Sequence, residues 1–221
     1  MSIQTSELAD VASNLLAGPG LTRKERCQAW VSASVAIGDE TKSLYFVTLA
    51  LASGLSVSLV KEIILQSYLF CGFPAAIDGL IVLRQCVVKG GYSMEEYSDS
   101  RSISEIRSDG ETLCRSVYDR NYDKLIANME SLSPSLAKWM IEEGYGKVLS
   151  RRPLQVQDRE LCVVAALAVM DRERQLVSHL KGAMHVGVPK SRLQAVLESN
   201  SILVSSEIVE KNLRCLQKVT S

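Results

Sequence analysis

Two side chains in the last third of the chain have the types and spacing for acid–base chemistry. Glu160 begins the apolar run ELCVVAALAVM, and Val163, Val164 and Leu167 share its helical face, so its carboxyl group points inward. His179 shares a stripe with Leu176, Leu180 and Ala183 on the next helical run and also faces the core. Ionisable groups on the inward faces of consecutive antiparallel helices can meet. A buried carboxylate beside a histidine favours the imidazolium and supplies a proton donor and acceptor near neutral pH. Such a pair can equally be a satisfied polar contact that sets helix register, so a structural role stays open.

Arg152, Arg159 and Arg172 offer planar donor forks suited to a substrate carboxylate, with Gln175 beside them on the way to His179. For each arginine the competing role is an ordinary salt bridge. His185 lies on a different face from His179 and reads as a solvated histidine that Asp171 or Glu173 could neutralise. The six cysteines, Cys27, Cys71, Cys86, Cys114, Cys162 and Cys215, are widely spaced and form no Cys-x-x-Cys pair. Several sit in apolar helical runs, where a thiol behaves as a small hydrophobe. Cys71 adjoins Gly72 but has no base next to it in sequence.

The elements that must position these groups are helices throughout, because helical periodicity recurs and no period-two strand pattern appears. The fold class is therefore all-α. Thr22-Arg23-Lys24-Glu25 is a capping box that starts a helix running to about Ile37. Ser133-Pro134 and Val188-Pro189 mark two more helix starts, and Gly72-Phe73-Pro74 is a break. The Gly-, Ser- and charge-rich stretch from Lys89 to Gly110 reads as a linker.

Sliding the chain by 133 residues lays Leu21–Val88 over Leu154–Ser221 without a gap, with ten identities, among them Arg26 on Arg159, Glu40 on Glu173 and Gly54 on Gly187. Apolar runs and breaks coincide as well. The reading is a tandem repeat: a first unit over residues 1–88, a linker with connecting helices over 89–153 (Glu111–Tyr118, Tyr122–Ser131 and Pro134–Glu143), and a second unit over 154–221. In the overlay Glu160 falls on Cys27 and His179 on Phe46, so the first unit lacks both polar groups and reads as a structural partner.

Net charge is zero, with 25 basic and 25 acidic residues, so no long-range field gathers nucleic acid or anionic lipid. The longest apolar stretches, from Leu44 and Glu160, run to about a dozen residues where a spanning helix needs about 20, so no membrane partner is expected. The N-terminal segment has no basic start followed by an apolar core, and the cytoplasm is the expected address.

Three stretches resemble the carboxymuconolactone decarboxylase superfamily, which includes the AhpD-like peroxidases. They are ILQSYLFCGFPAAIDGL from Ile64; Tyr145-Gly146 with Arg152-Pro153 and Arg159-Glu160-Leu161; and Gln175-Leu176, His179, Gly182-Ala183 and Gly187. The resemblance implies an AhpD-like all-helical fold and a homo-oligomer, a trimer being favoured for a chain of two units. It also implies Glu160 and His179 as the active pair. AhpD-type enzymes carry two cysteines between that pair, where this chain has Arg172 and Gln175, so thiol-based hydroperoxide reduction becomes the alternative reading. What remains is similar to the decarboxylase branch: lyase chemistry without metal or organic cofactor on a small carboxylated lactone, with His179 as acid and Glu160 orienting it. A non-catalytic oligomeric scaffold is the third reading.

Overall fold

The computed structural model describes residues 5–93 and 97–220, the side chains of residues 5–7 excepted. Part of the N-terminal segment read for a leader, and residues 94–96 of the expected linker, lie outside the described residues. No strand occurs among the described residues. The helices are α1 (Thr5–Leu16), α2 (Arg23–Ile37), α3 (Glu40–Ala52), α4 (Val57–Gln66), α5 (Tyr68–Gly90), α6 (Ile103–Tyr118), α7 (Tyr122–Leu132) and α8 (Pro134–Trp139). A π-helix (Met140–Leu149) follows, and then α9 (Val156–Val169), α10 (Glu173–His185), α11 (Lys190–Ser199) and α12 (Ser206–Thr220). The fold is all-α.

Local chemistry sets the helix ends. The Thr22 hydroxyl accepts from the Glu25 amide while the Glu25 carboxylate accepts from the Thr22 amide at 2.7 Å, the reciprocal cap expected there. Ser133 caps α8 ahead of Pro134. Pro189 stands one place earlier than expected, at the cap position, and Lys190 opens α11. Gly72, at φ 83°, is the break inside α5, a backbone region that a side chain would disfavour. By length and composition α5 is long and apolar enough to cross a membrane, a length that the reading of dozen-residue stretches missed.

Two corrections concern the middle of the chain. Residues from Ile103 onward belong to α6, started by a second capping box of Ser102 and Glu105, so the non-helical link is shorter than the Lys89–Gly110 stretch. Serine and charge are as fitting at a helix start as in a linker, which is why composition misled. The third connecting helix also continues past Glu143, because α8 runs into the π-helix, where the Ser150 amide donates to the Tyr145 carbonyl five residues back. Gly110 and Gly146 let this π-helix lie against α6: a Cβ on Gly110 would stand 2.6 Å from the Gly146 nitrogen.

At the centre α2 packs on α9, the most extensive helix pair, and both are buried along nearly their whole length. Helices α3–α5 surround α2, and α10–α12 surround α9. The starts of α2, α3, α4 and of the post-Gly72 part of α5 precede those of α9, α10, α11 and α12 by the same 133 residues. Details repeat at that offset too. Gly54 and Gly187 both sit at positive φ, and Arg26 and Arg159 each donate to the carbonyl eight residues upstream, Gly18 at 3.0 Å and Arg151 at 2.6 Å. A third cluster, built on Cys114, Val117, Tyr122, Tyr145 and Val148, joins α6 and the π-helix to the α10 side.

Candidate functional site

Glu160 lies in the first turns of α9 and His179 in the middle of α10, and the two helices pack side by side. His179 Nδ1 donates to Glu160 Oε2 at 2.9 Å. Burial is nearly complete, at 3% exposure for Glu160 and 7% for His179. Because Nδ1 is engaged with the carboxylate, Nε2 is the imidazole atom left to meet another group. Phe70, from the turn of α5 before its break, sets its ring edge-on to the imidazole at 5.4 Å. Gly182, one turn after His179, leaves room for α6: a Cβ there would meet Val117 at 2.5 Å, while Glu160 Oε2, at 3.7 Å, would stay at ordinary contact distance.

Two tyrosines complete the surroundings. Tyr145, from the π-helix, is buried, and its ring lies edge-on to that of Tyr118 at the end of α6, 6.2 Å between centres. Burial, with Tyr118 and the Glu160 carboxylate nearby, pushes the Tyr145 hydroxyl well above its ordinary range. Tyr118 is also raised, chiefly by burial, and accepts a hydrogen bond from Ser178 at 3.4 Å. These phenols stay protonated and neutral near the carboxylate. Sequence reasoning had Tyr145 only as part of a motif and missed Tyr118, Ser178 and Phe70. Their approach depends on the π-helix and on helix packing, for which no local pattern exists.

Tyr118 and Ser178 are among the residues lining a cleft of about 460 Å³ between α6, α7 and α10. Lys124, Arg174, Lys181 and His185 line it, together with Asn121 and Asn128, and no carboxylate does. The cleft therefore carries a local positive potential in a chain of zero net charge. His185 is exposed and its Nδ1 donates to the Val117 carbonyl at 2.7 Å. Asp171 and Glu173 turn instead to Lys211, at 2.7 and 3.8 Å. Neither Glu160 nor His179 lines the cleft, whereas Tyr118 and Ser178 do.

The expected carboxylate binders do not converge. Arg159 is the clear correction: it is buried, and its guanidinium is consumed by Glu62 (3.2 Å), Gln66 (3.2 Å) and the Arg151 carbonyl. With both terminal nitrogens engaged inside the core, and only a buried Nε unpaired, Arg159 has no fork left for a substrate. Arg152 is exposed beside a different cleft, with Asp109 and Ser116. Arg172 and Gln175 are exposed at the start of α10, in a shallow depression of their own.

Thiol chemistry finds no support in the geometry. Cys27, Cys86, Cys114, Cys162 and Cys215 are buried, and Cys71 is half-buried. Burial pushes Cys71 up to about 11 and Cys114 up to about 12, and it raises Cys27, Cys162 and Cys215, against the thiolate that peroxide reduction needs. Among the described residues no three His, Cys, Asp or Glu side chains gather as a metal-binding group.

Comparison with known proteins adds two findings. Two curated fungal proteins, both called Peroxisomal protein 2, are similar to the chain. The Saccharomyces cerevisiae protein is 25% identical over 66% of this chain, and the Schizosaccharomyces pombe protein is 25% identical over 62%. The chain spans 60% and 64% of their respective lengths. A model of the carboxymuconolactone decarboxylase family matches residues 134–217, from the start of α8 to the last helix, and so takes in the Glu160–His179 pair. Over that segment, less than half of the chain, the sequence is similar to the carboxymuconolactone decarboxylase family.

Proposed function

We propose that the chain performs cofactor-free acid–base chemistry on a small carboxylated substrate, a lactone or related acid, with His179 as proton donor and Glu160 as the group that orients it. The observation that carries this reading is the 2.9 Å contact between two ionisable side chains that are both nearly fully buried. Burying such a pair costs several kcal/mol of desolvation, in the range of about 3–5 kcal/mol when one partner is left alone, so its retention calls for a role.

In a decarboxylation the bond between the substrate carbon and its carboxylate breaks and carbon dioxide leaves. The electron pair stays on the substrate, delocalised into the lactone conjugation, until a proton from His179 Nε2 quenches it. The imidazole recovers that proton from water. Glu160 keeps Nδ1 protonated throughout and stabilises the imidazolium that donates. The cationic cleft above Tyr118 and Ser178 supports the choice of substrate class, because Lys181, Arg174 and Lys124 can hold a carboxylate there.

The test is turnover of carboxylated lactones, followed as carbon dioxide release. His179→Ala and Glu160→Gln are expected to lower kcat by roughly 10²–10⁴-fold. Lys181→Met with Arg174→Met should raise KM by about tenfold and leave kcat nearly unchanged, the mark of lost ground-state binding. Turnover that survives His179→Ala removes the proposal. The low exposure of both groups favours a second reading, a polar contact that fixes the register of α9 on α10, which predicts loss of stability and no turnover at all.

The names of the two fungal relatives favour a peroxisomal address over a cytoplasmic one. A fluorescent fusion that stays diffuse through the cell would count against it.

A further inference from the structure

The outer faces of α5 and α12 occupy equivalent places, one against α2 and the other against α9, at the same 133-residue offset. On α12 the outward positions are Ser206, Glu207, Glu210, Lys211, Arg214, Gln217 and Lys218. Lys211 and Lys218 reach Glu173, and Arg214 pairs with Glu210, so this is a solvated, ion-paired surface. The same positions on α5 are Phe73, Pro74, Ile77, Asp78, Ile81, Arg84 and Gln85, with Val88 next. Phe73 is 65% exposed, Ile77 53%, Ile81 40% and Val88 78%. The fold tolerates charge at this place, as α12 shows. The apolar stripe on α5 therefore answers to something outside the chain.

We propose that α5 is the interface with a second copy of this chain, packed antiparallel about a two-fold axis passing at Ile81. The charge pattern selects this occupant. A two-fold contact is self-complementary, and antiparallel pairing centred on Ile81 sets Asp78 opposite Arg84 of the second copy, and does so twice. It also stacks Ile81 on its own copy and sets Pro74 against Val88. Neither Asp78 nor Arg84 has an ion-pair partner within the chain among the described residues, which leaves both available. A membrane is the poorer occupant, because Asp78 stands in the middle of the stripe and a carboxylate there opposes insertion. A two-fold pair also differs from the three-fold ring that the family resemblance implies.

Sedimentation or light scattering of the full chain across a concentration series tests the idea. The native chain is expected to dimerise at micromolar concentration. Ile81→Glu should make it monomeric while leaving the helical circular dichroism and melting temperature unchanged, because that side chain is outside the core. Asp78→Arg or Arg84→Asp alone should weaken the dimer by about tenfold, since each sets like charges opposite one another at two places, and the two together should restore it. Ile81→Cys should form a disulfide-linked dimer on mild oxidation. A native chain that stays monomeric at high concentration, an oligomer indifferent to Ile81→Glu, a charge exchange that fails to rescue, or α5-dependent binding to neutral lipid vesicles by a monomer would each overturn it.

Discussion

Where α9 and α10 hold Glu160 against His179, the matching places on α2 and α3 hold Cys27 and Phe46, and both of these are fully buried, Cys27 with its thiol donating to Ser53 Oγ at 3.6 Å and Phe46 with its ring 5.3 Å from that of Trp30. The helices themselves are nearly superposable in order and length, and both sets keep the arginine that ties the helix to the carbonyl eight residues upstream. What the two regions share is architecture and what they do not share is chemistry. Arg26 and Arg159 occur in both, so the arginine belongs to the shared architecture. The acid–base pair occurs once, on the side where α6 and the π-helix bring two tyrosines to it.

Converting one region into the other is the strongest way to break this comparison. His179→Phe alone leaves the Glu160 carboxylate buried without a partner and should cost about 3–5 kcal/mol in urea unfolding. The double change Glu160→Cys with His179→Phe, which copies the α2–α3 pair, should recover most of that stability and remain inactive, because replacing a buried ion pair with apolar groups is often neutral or stabilising. A double variant as unstable as the single one would mean that the pair holds the fold rather than the chemistry.

Next in size are the two arginines. Arg159→Met should destabilise by about 3 kcal/mol, because Glu62 loses one of its two cations and the Arg151 carbonyl loses its donor. Arg26→Met breaks only neutral contacts to Gly18 and Pro19 and should cost about 1–2 kcal/mol. Equal losses would show that the Glu62 ion pair adds nothing.

The entry to α9 carries an ion-paired clasp. Arg101 bonds Asp99 at 2.7 Å, Asp109 at 2.9 Å and Ser150 at 2.6 Å, and Arg151 approaches Asp99 at 3.8 Å. The bond from Arg101 holds the Asp99 carboxyl at about 2, below its ordinary value. A carboxylate held low in the folded state stabilises fully above the unfolded value near pH 4, and that stabilisation is lost as pH falls toward 2. Asp99→Asn should therefore lower stability by about 2 kcal/mol at neutral pH and flatten the acid limb of the stability curve between about pH 4 and 2. An unchanged acid limb would remove the clasp from the argument.

The smallest effect tests the shared architecture itself. Gly54 and Gly187 stand at φ 83° and 94°, and neither has close neighbours that an added methyl group would strike. Gly54→Ala and Gly187→Ala should each cost about 1–2 kcal/mol of backbone strain, and the two values should agree.

The sequence by itself determined the helices, the caps at Thr22 and Ser133, the break at Gly72, the matching offset of the two helix sets and the inward faces of Glu160 and His179, because each is local: a cap, a turn or an apolar period is decided within a few residues. Composition gave less at Ser102, where serine and charge suit a helix start as readily as a linker. Only the tertiary structure decided which arginine was already engaged, since Arg159 and Glu62 are far apart in sequence and meet because α4 and α9 both pack on α2. It also decided that Tyr118, Tyr145 and Ser178 gather beside the pair, because a π-helix and two glycines at the α6 contact set their positions, and no spacing along the chain encodes a distance across a core.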